Sequence, residues 1–174
     1  MKTQPQPSIF VRMDRCMGCH SCELACAVAH SGSKTLVGAI HETSKPLRRI
    51  FVEAAETAKS PILCRHCEDA PCVGVCPTRA LASDPRTHAV QHTASKCIGC
   101  ALCAMACPFG VIQQDAEARS IVKCDLCQDR ARPACVEACP TRALQLQPEY
   151  EKNKRQEVVN RFLEALHMGR SVSL

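Results

Sequence analysis

Sixteen cysteines stand in the 174-residue chain in four groups of four, with none left over. The clearest group is Cys97-Ile98-Gly99-Cys100-Ala101-Leu102-Cys103-Ala104-Met105-Ala106-Cys107-Pro108, which reads C-x2-C-x2-C-x3-C-P. That spacing suits a [4Fe-4S] cubane: three thiolates hold three irons of one cluster, while the fourth points away and is free to ligate a different one. Pro108 has no N–H and ends the ligand loop. Zinc is the poorer reading, because zinc sites usually take cysteines as two separated C-x2-C pairs around a tetrahedral ion.

The pattern recurs. Cys16, Cys19, Cys22 and Cys26 repeat the same spacing, with Ala27 where proline follows the others. Cys64, Cys67, Cys72 and Cys76 are spaced x2-x4-x3 and precede Pro77; Cys124, Cys127, Cys135 and Cys139 are spaced x2-x7-x3 and precede Pro140. The second and fourth quartets share Cys-Pro-Thr-Arg-Ala-Leu, at residues 76–81 and 139–144. The order is A-B-A′-B′, an internal duplication, and at four thiolates per cubane the chain is expected to bind four [4Fe-4S] clusters.

Composition agrees with a metal-stapled scaffold. Aromatics make up 3% of the chain and tryptophan is absent, so an ordinary core would be thin and metal or disulfide staples must offset it. Disulfides are disfavoured by the repeated x2 spacings, and no apolar stretch behind the first residues resembles a secretory leader. No apolar run reaches the length of a membrane-spanning helix, and a cytoplasmic location is expected. The net charge of +5 does not indicate nucleic acid. Each oxidised cubane with its thiolates carries about −2, so four would bring the loaded protein to about −3. Arg15, Arg65, Arg79, Lys96, Lys123 and Arg142 lie beside the ligands, where they offset that charge.

The elements that must hold these ligands are short. Ile9–Met13 reads as a strand delivering the first quartet, and Cys22–His30 as one or two helical turns that continue past Cys26 because Ala27 permits it. Thr35–His41 is ambiguous, and Arg49–Ala54 has strand character. His88–His92 is a short strand. Gly110–Gln113 and Ser120–Lys123 flank 115–119 like arms of a hairpin. Residues 31–60, free of cysteine, form an insertion that covers the cluster core or faces a partner. His20 and His66 lie inside ligand loops, but the cysteines already satisfy four cubanes, so surface or hydrogen-bonding roles are expected. No nucleophile–base arrangement, phosphate loop or dinucleotide fingerprint appears. From Pro148 to Met168 the sequence reads as a charged amphipathic helix, with Val158, Val159, Phe162, Leu163 and Leu166 on one stripe.

Four quartets in this order, with C-x2-C-x4-C-x3-C-P and Cys-Pro-Thr-Arg-Ala-Leu, resemble the four-cluster polyferredoxin subunits of large redox enzymes. These include the iron–sulfur subunits of formate dehydrogenases and hydrogenases, carbon monoxide dehydrogenase, tungsten aldehyde oxidoreductases and dimethyl sulfoxide reductase. The resemblance covers about residues 8–147. It implies an α+β fold of two ferredoxin-like lobes, with small two-stranded sheets and short helices. The inner lobe would be about 61–110, and the outer lobe about 8–60 with 111–147; residues 148–174 would form a C-terminal helix for docking or oligomerisation. It also implies an exchange of ligands. Cys16, Cys19 and Cys22 would share a cubane with Cys139; Cys124, Cys127 and Cys135 with Cys26; Cys64, Cys67 and Cys72 with Cys107; Cys97, Cys100 and Cys103 with Cys76. The expected role is a non-catalytic electron-transfer subunit. It would serve a catalytic oxidoreductase subunit (a tungsten or molybdenum enzyme, or carbon monoxide dehydrogenase) and a second redox subunit carrying flavin, a hydrogenase or a further ferredoxin. Self-association through the tail, extending to a filament, is a further expectation. The alternative is a freely diffusing ferredoxin-type carrier.

Overall fold

The structure, a computed structural model, describes residues 8–56 and 58–146, together with Arg155, Val158, Val159 and Leu163. Among the described residues it is an α+β arrangement, with two 3-10 turns at Met13–Arg15 and Ala94–Lys96, of thirteen short α-helices and strands. In chain order these are β1 (Ile9–Val11), α1 (Ser21–Ala29), α2 (Leu36–His41), β2 (Ile50–Ala54), β3 (Lys59–Leu63), α3 (Pro71–Gly74) and β4 (Leu81–Ser83). There follow β5 (Val90–His92), α4 (Leu102–Ala106), β6 (Gln113–Asp115), β7 (Ser120–Val122), α5 (Ala134–Glu137) and β8 (Leu144–Leu146). The strands pair as four antiparallel two-stranded sheets, β1–β8, β2–β3, β4–β5 and β6–β7.

Local chemistry explains the helices. The α1 helix runs through Cys26 to Ala29, as expected where alanine replaces proline. Thr35 resolves the ambiguity at 35–41 in favour of helix, because its hydroxyl caps α2 by accepting from Gly38 N at 3.2 Å. Pro71 opens α3 at the first helical position, where its missing N–H costs nothing.

The duplication is visible in the sheets. After the second quartet, Leu81 of β4 pairs with His92 of β5, the strand entering the third quartet. After the fourth quartet, Leu144 of β8 pairs with Val11 of β1, the strand entering the first. Each pair is extended by one equivalent bond: Thr93 N donates to Ala80 O at 2.8 Å, and Arg12 N to Ala143 O at 2.7 Å. Both ends of the described segment therefore meet in one sheet.

Two apolar clusters fill the interior. One gathers Ile9, Ile50, Leu63, Leu126, Val136 and Leu144 around Cys22, Cys26, Cys124 and Cys135. The other gathers Leu81, Val90, Ile112 and Ile121 around Cys72 and Cys103. Strands of three to five residues in isolated pairs are marginal in water, and each buried aliphatic side chain contributes only about 1.5–3 kcal/mol. The four tail residues described are helical, and Val158 and Val159 are 60% and 49% exposed. The remainder of the stripe expected over 148–168 lies outside the described residues.

Gly99 tests this packing. It holds φ +68°, and a Cβ there would come within 2.6 Å of the Arg119 carbonyl oxygen in the β6–β7 turn. That turn is tied to the same loop by Gln114, whose Nε2 donates to Gly99 O at 2.9 Å. Gly99→Ala is expected to lower stability by about 1–2 kcal/mol from the left-handed backbone alone, with the contact adding to it. Gly74→Ala, where a Cβ meets open space, should leave the melting temperature unchanged or raise it. Thermal unfolding of the two variants side by side makes the comparison.

Candidate metal centres

One backbone device recurs at all four ligand loops. The residue before the second cysteine of each quartet has positive φ: Gly18 at 70°, His66 at 48°, Gly99 at 68° and Leu126 at 63°. Left-handed backbone at histidine and leucine is uncommon and costs energy, so its appearance beside two glycines marks a geometric demand of the loop itself. It curls the chain so that successive thiols converge. A second device follows the fourth cysteine, where Arg79, Gly110 and Arg142 also have positive φ and turn the chain away after the proline.

These loops bring together cysteines from different quartets. One cavity is walled by Cys16, Cys19, Cys22 and Cys139, with Val52, Pro61 and Leu144 behind them. A second is walled by Cys76, Cys97, Cys100 and Cys103, backed by Leu81 and Ile121. The other eight cysteines are buried or half-buried. Burial raises the pKa of Cys64, and its neighbours Cys107 and Cys67 raise it further; burial likewise raises Cys72, with Cys64 and Cys107 adding to the effect. Burial pushes Cys124 up to about 12, with Cys64 and Cys26 reinforcing it. Cys135 is driven higher still by burial, then by Cys124, Cys26 and Cys127.

Buried thiols that repel one another as thiolates need a cation among them before they can ionise together. The donor set fits an iron–sulfur cubane: four sulfurs to each of the two cavities, apolar walls, and backbone N–H groups turned to sulfur. Arg49 N donates to Cys26 Sγ at 3.3 Å and Ala143 N to Cys139 Sγ at 3.2 Å. Such contacts stabilise the charge of a thiolate ligand.

The family models agree with this donor chemistry. Residues 55–149 match a 4Fe-4S dicluster domain and residues 13–29 a 4Fe-4S binding domain. The chain belongs to the [4Fe-4S] dicluster family. It is 43% identical over 154 residues to an iron-sulfur protein of Rhodospirillum rubrum, covering 79% of this chain and 80% of that one. It is 37% identical over 153 residues to the electron transport protein HydN of Escherichia coli K12, covering 78% and 85% of the two chains. It is also 37% identical over 166 residues to formate hydrogenlyase subunit 2 of Escherichia coli K12, covering 75% and 76%. HydN is by its name an electron transport protein. Among the described residues, no helix is long and apolar enough to cross a membrane.

The cysteines of this iron–sulfur protein can be followed from one cavity to the other. Cys22 of the first cavity lies near Cys135, which is also near Cys124 and Cys26. Cys124 lies near Cys64, and Cys72, beside Cys64, lies near Cys103 of the second cavity. Cys19 and Cys100, one in each cavity, are exposed, and every other cysteine is buried or half-buried. Apolar side chains stand exposed near both: Met17 and Leu24 at one end, Ile98, Leu102 and Met105 at the other.

His66 is buried and its Nδ1 accepts from Val90 N at 3.0 Å; burial first, then the nearby Lys123, lowers its pKa to about 3. His20 is exposed and its Nδ1 pairs with Glu23 at 3.0 Å.

A charged network not foreseen in the sequence sits beside Cys26. Asp125 pairs with His30 Nε2 at 3.2 Å and with Arg49 Nη1, and accepts from Cys127 N at 2.9 Å. Burial opposes charge on His30, but its bonds to Asp125, Cys127 and Cys26 prevail and hold its pKa up at about 11. His30 follows Cys26 by one helical turn, so that half of the network was open to inspection. Its closure by Arg49 and Asp125, 76 residues apart, carries no local signal. Asp125→Ala would leave Arg49 and His30 half-buried without their acid. Stability of the cluster-loaded protein should fall by about 1–3 kcal/mol, towards the low end because Asp125 is itself partly exposed. An unchanged melting temperature would mean that water replaces the carboxylate.

Proposed function

We propose that this chain is a cytoplasmic electron relay holding four [4Fe-4S] clusters in a row, and that it catalyses nothing itself. Each cubane, when bound, takes up and releases one electron. In this reading Cys16, Cys19, Cys22 and Cys139 hold the first; Cys124, Cys127, Cys135 and Cys26 the second. Cys64, Cys67, Cys72 and Cys107 hold the third, and Cys97, Cys100, Cys103 and Cys76 the fourth. The observation that carries the proposal is the exposure of Cys19 and Cys100 alone, in the first and fourth of these sets. A relay needs an entry and an exit with shielded steps between them. The apolar rims at both ends suit contact with other proteins, since exposed apolar patches mark interaction sites. Sixteen cysteines kept as cluster ligands also suit a reducing compartment.

The partners proposed are a catalytic oxidoreductase subunit at one end and a second redox subunit at the other. A relative named as a formate hydrogenlyase subunit favours chemistry of the formate and hydrogen class. The chain would serve as one station in a longer path. The tail is proposed to dock on such a neighbour or on a second copy, where a head-to-tail contact that does not close would build a filament.

Protein purified without oxygen should hold about sixteen iron and sixteen sulfide per chain. The ligand exchange is tested by pairs of substitutions. Cys139→Ser with Cys16→Ser should cost no more than one cluster, about four iron. Cys139→Ser with Cys124→Ser should cost two clusters, about eight iron. The reverse result would place Cys139 with its sequence neighbours and end the crossed assignment.

Removal of the chain after Gln147 is expected to leave iron content intact and to reduce particle size in light scattering or sedimentation. Unchanged size, or loss of clusters, would assign the tail to its own domain instead.

A further inference from the structure

Three quartets are entered through a basic residue: Arg15 before Cys16, Lys96 before Cys97 and Lys123 before Cys124. Only Lys123 is buried, at 3% exposure; Lys96 is exposed. A buried ammonium is costly unless it is paired and hydrogen-bonded. Lys123 Nζ donates to Val90 O and to Cys124 O, both at 2.6 Å. These neutral acceptors satisfy its hydrogens and do not neutralise its charge. Among the described residues no carboxylate forms an ion pair with it. Asp125, two residues on, is engaged by Arg49, His30 and the Cys127 amide.

Two ligand loops meet at Lys123: Cys124 follows it directly, and Val90, whose carbonyl it reaches, donates its N–H at 3.0 Å to His66 Nδ1, between Cys64 and Cys67. The Lys123 charge favours the thiolates of Cys64, Cys72 and Cys124. The same charge disfavours protonation of His66 and His92, and Arg49, which lines one cavity with Lys123 and His92, is paired with Asp125. Lys123 thus lies where the two inner groups of cysteines approach each other.

Resting on the ligand sets proposed above, we propose that Lys123 is a shared internal counter-charge that raises the reduction potentials of the two inner clusters together. A fixed cation in a poorly solvated site favours the more negative, reduced state of whatever lies beside it. A cation at the surface does so weakly, because water and salt screen it. The lysine acts through space on two clusters and ligates neither.

The test compares three variants of the full chain loaded with clusters, by iron analysis and by a potentiometric titration followed by electron paramagnetic resonance. Lys123→Gln keeps a hydrogen-bond donor and removes the charge. It should retain about sixteen iron while two reduction steps, those also disturbed by Cys26→Ser and Cys107→Ser, move to more negative potential. Lys123→Arg should leave those steps close to the parent, and Lys96→Gln should move none of the four by a comparable amount. Unmoved inner steps in Lys123→Gln at full iron content, or an equal shift of all four, would overturn the proposal and leave the ligand sets standing. If Lys123→Gln loses iron, Lys123→Arg decides. Retained clusters and potentials support the charge, whereas the same loss in both variants assigns Lys123 to packing and overturns it. A failure of the ligand sets themselves would appear separately, in the paired cysteine substitutions of the parent chain.

Discussion

Everything else in this fold depends on cysteines that meet across the sequence. Cys139 shares a cavity with Cys16, Cys19 and Cys22, and Cys76 one with Cys97, Cys100 and Cys103. The chain must therefore return on itself before any group of four is complete. The pairing of β1 with β8 is the backbone consequence of the first return, and the pairing of β4 with β5 of the second. Sheets of two short strands would not hold these returns alone. The apolar clusters are threaded with cysteine throughout, so core and ligand cage are the same residues. An iron-loaded cage would supply the cross-links that a chain with few aromatics lacks.

That economy explains why backbone strain is repeated. Positive φ at His66 and Leu126 would be avoided in a loop free to relax. It recurs because the two thiols of a C-x2-C pair converge on one centre when the residue just before the second cysteine turns left-handed. Glycine meets the demand in the first and third quartets. In the second and fourth, His66 and Leu126 meet it while contributing a buried side chain. His66 adds the bond to Val90 N, and Leu126 joins the first apolar cluster.

What was legible in the sequence was local, and what was not was long-range. Cysteine spacing indicated the cluster type, and Ala27 in place of proline indicated that α1 would run on past Cys26, as it does. The hairpin arms around 115–119 appear as β6 and β7, with the first arm displaced from Gly110–Gln113 to Gln113–Asp115. The strands β3, β4 and β8 were not foreseen. Pro61 lies within β3 opposite Val52, and a proline argues against a strand when only the sequence is read. β4 and β8 are three residues each, too short for periodicity to register, and their partners lie elsewhere in the chain. The crossed ligand sets came from resemblance to a family, because spacing alone states that a fourth cysteine leaves its quartet and not where it arrives.

Charge shows the same division. Counting residues gives a net +5 and a sound reason for it, since metal–thiolate centres are anionic. Counting cannot say which cation matters. Lys96 and Lys123 occupy the same place relative to their cysteines, yet only one is shut away from water. The difference comes from Val90, whose carbonyl receives the Lys123 ammonium, and from the strand β5 that holds Val90 at the junction. Interactions between exposed charges fade over about 10 Å in ordinary salt, while a buried charge keeps its reach. A basic residue beside a ligand therefore tunes a cluster through the packing that surrounds it, and that packing is set by distant parts of the chain.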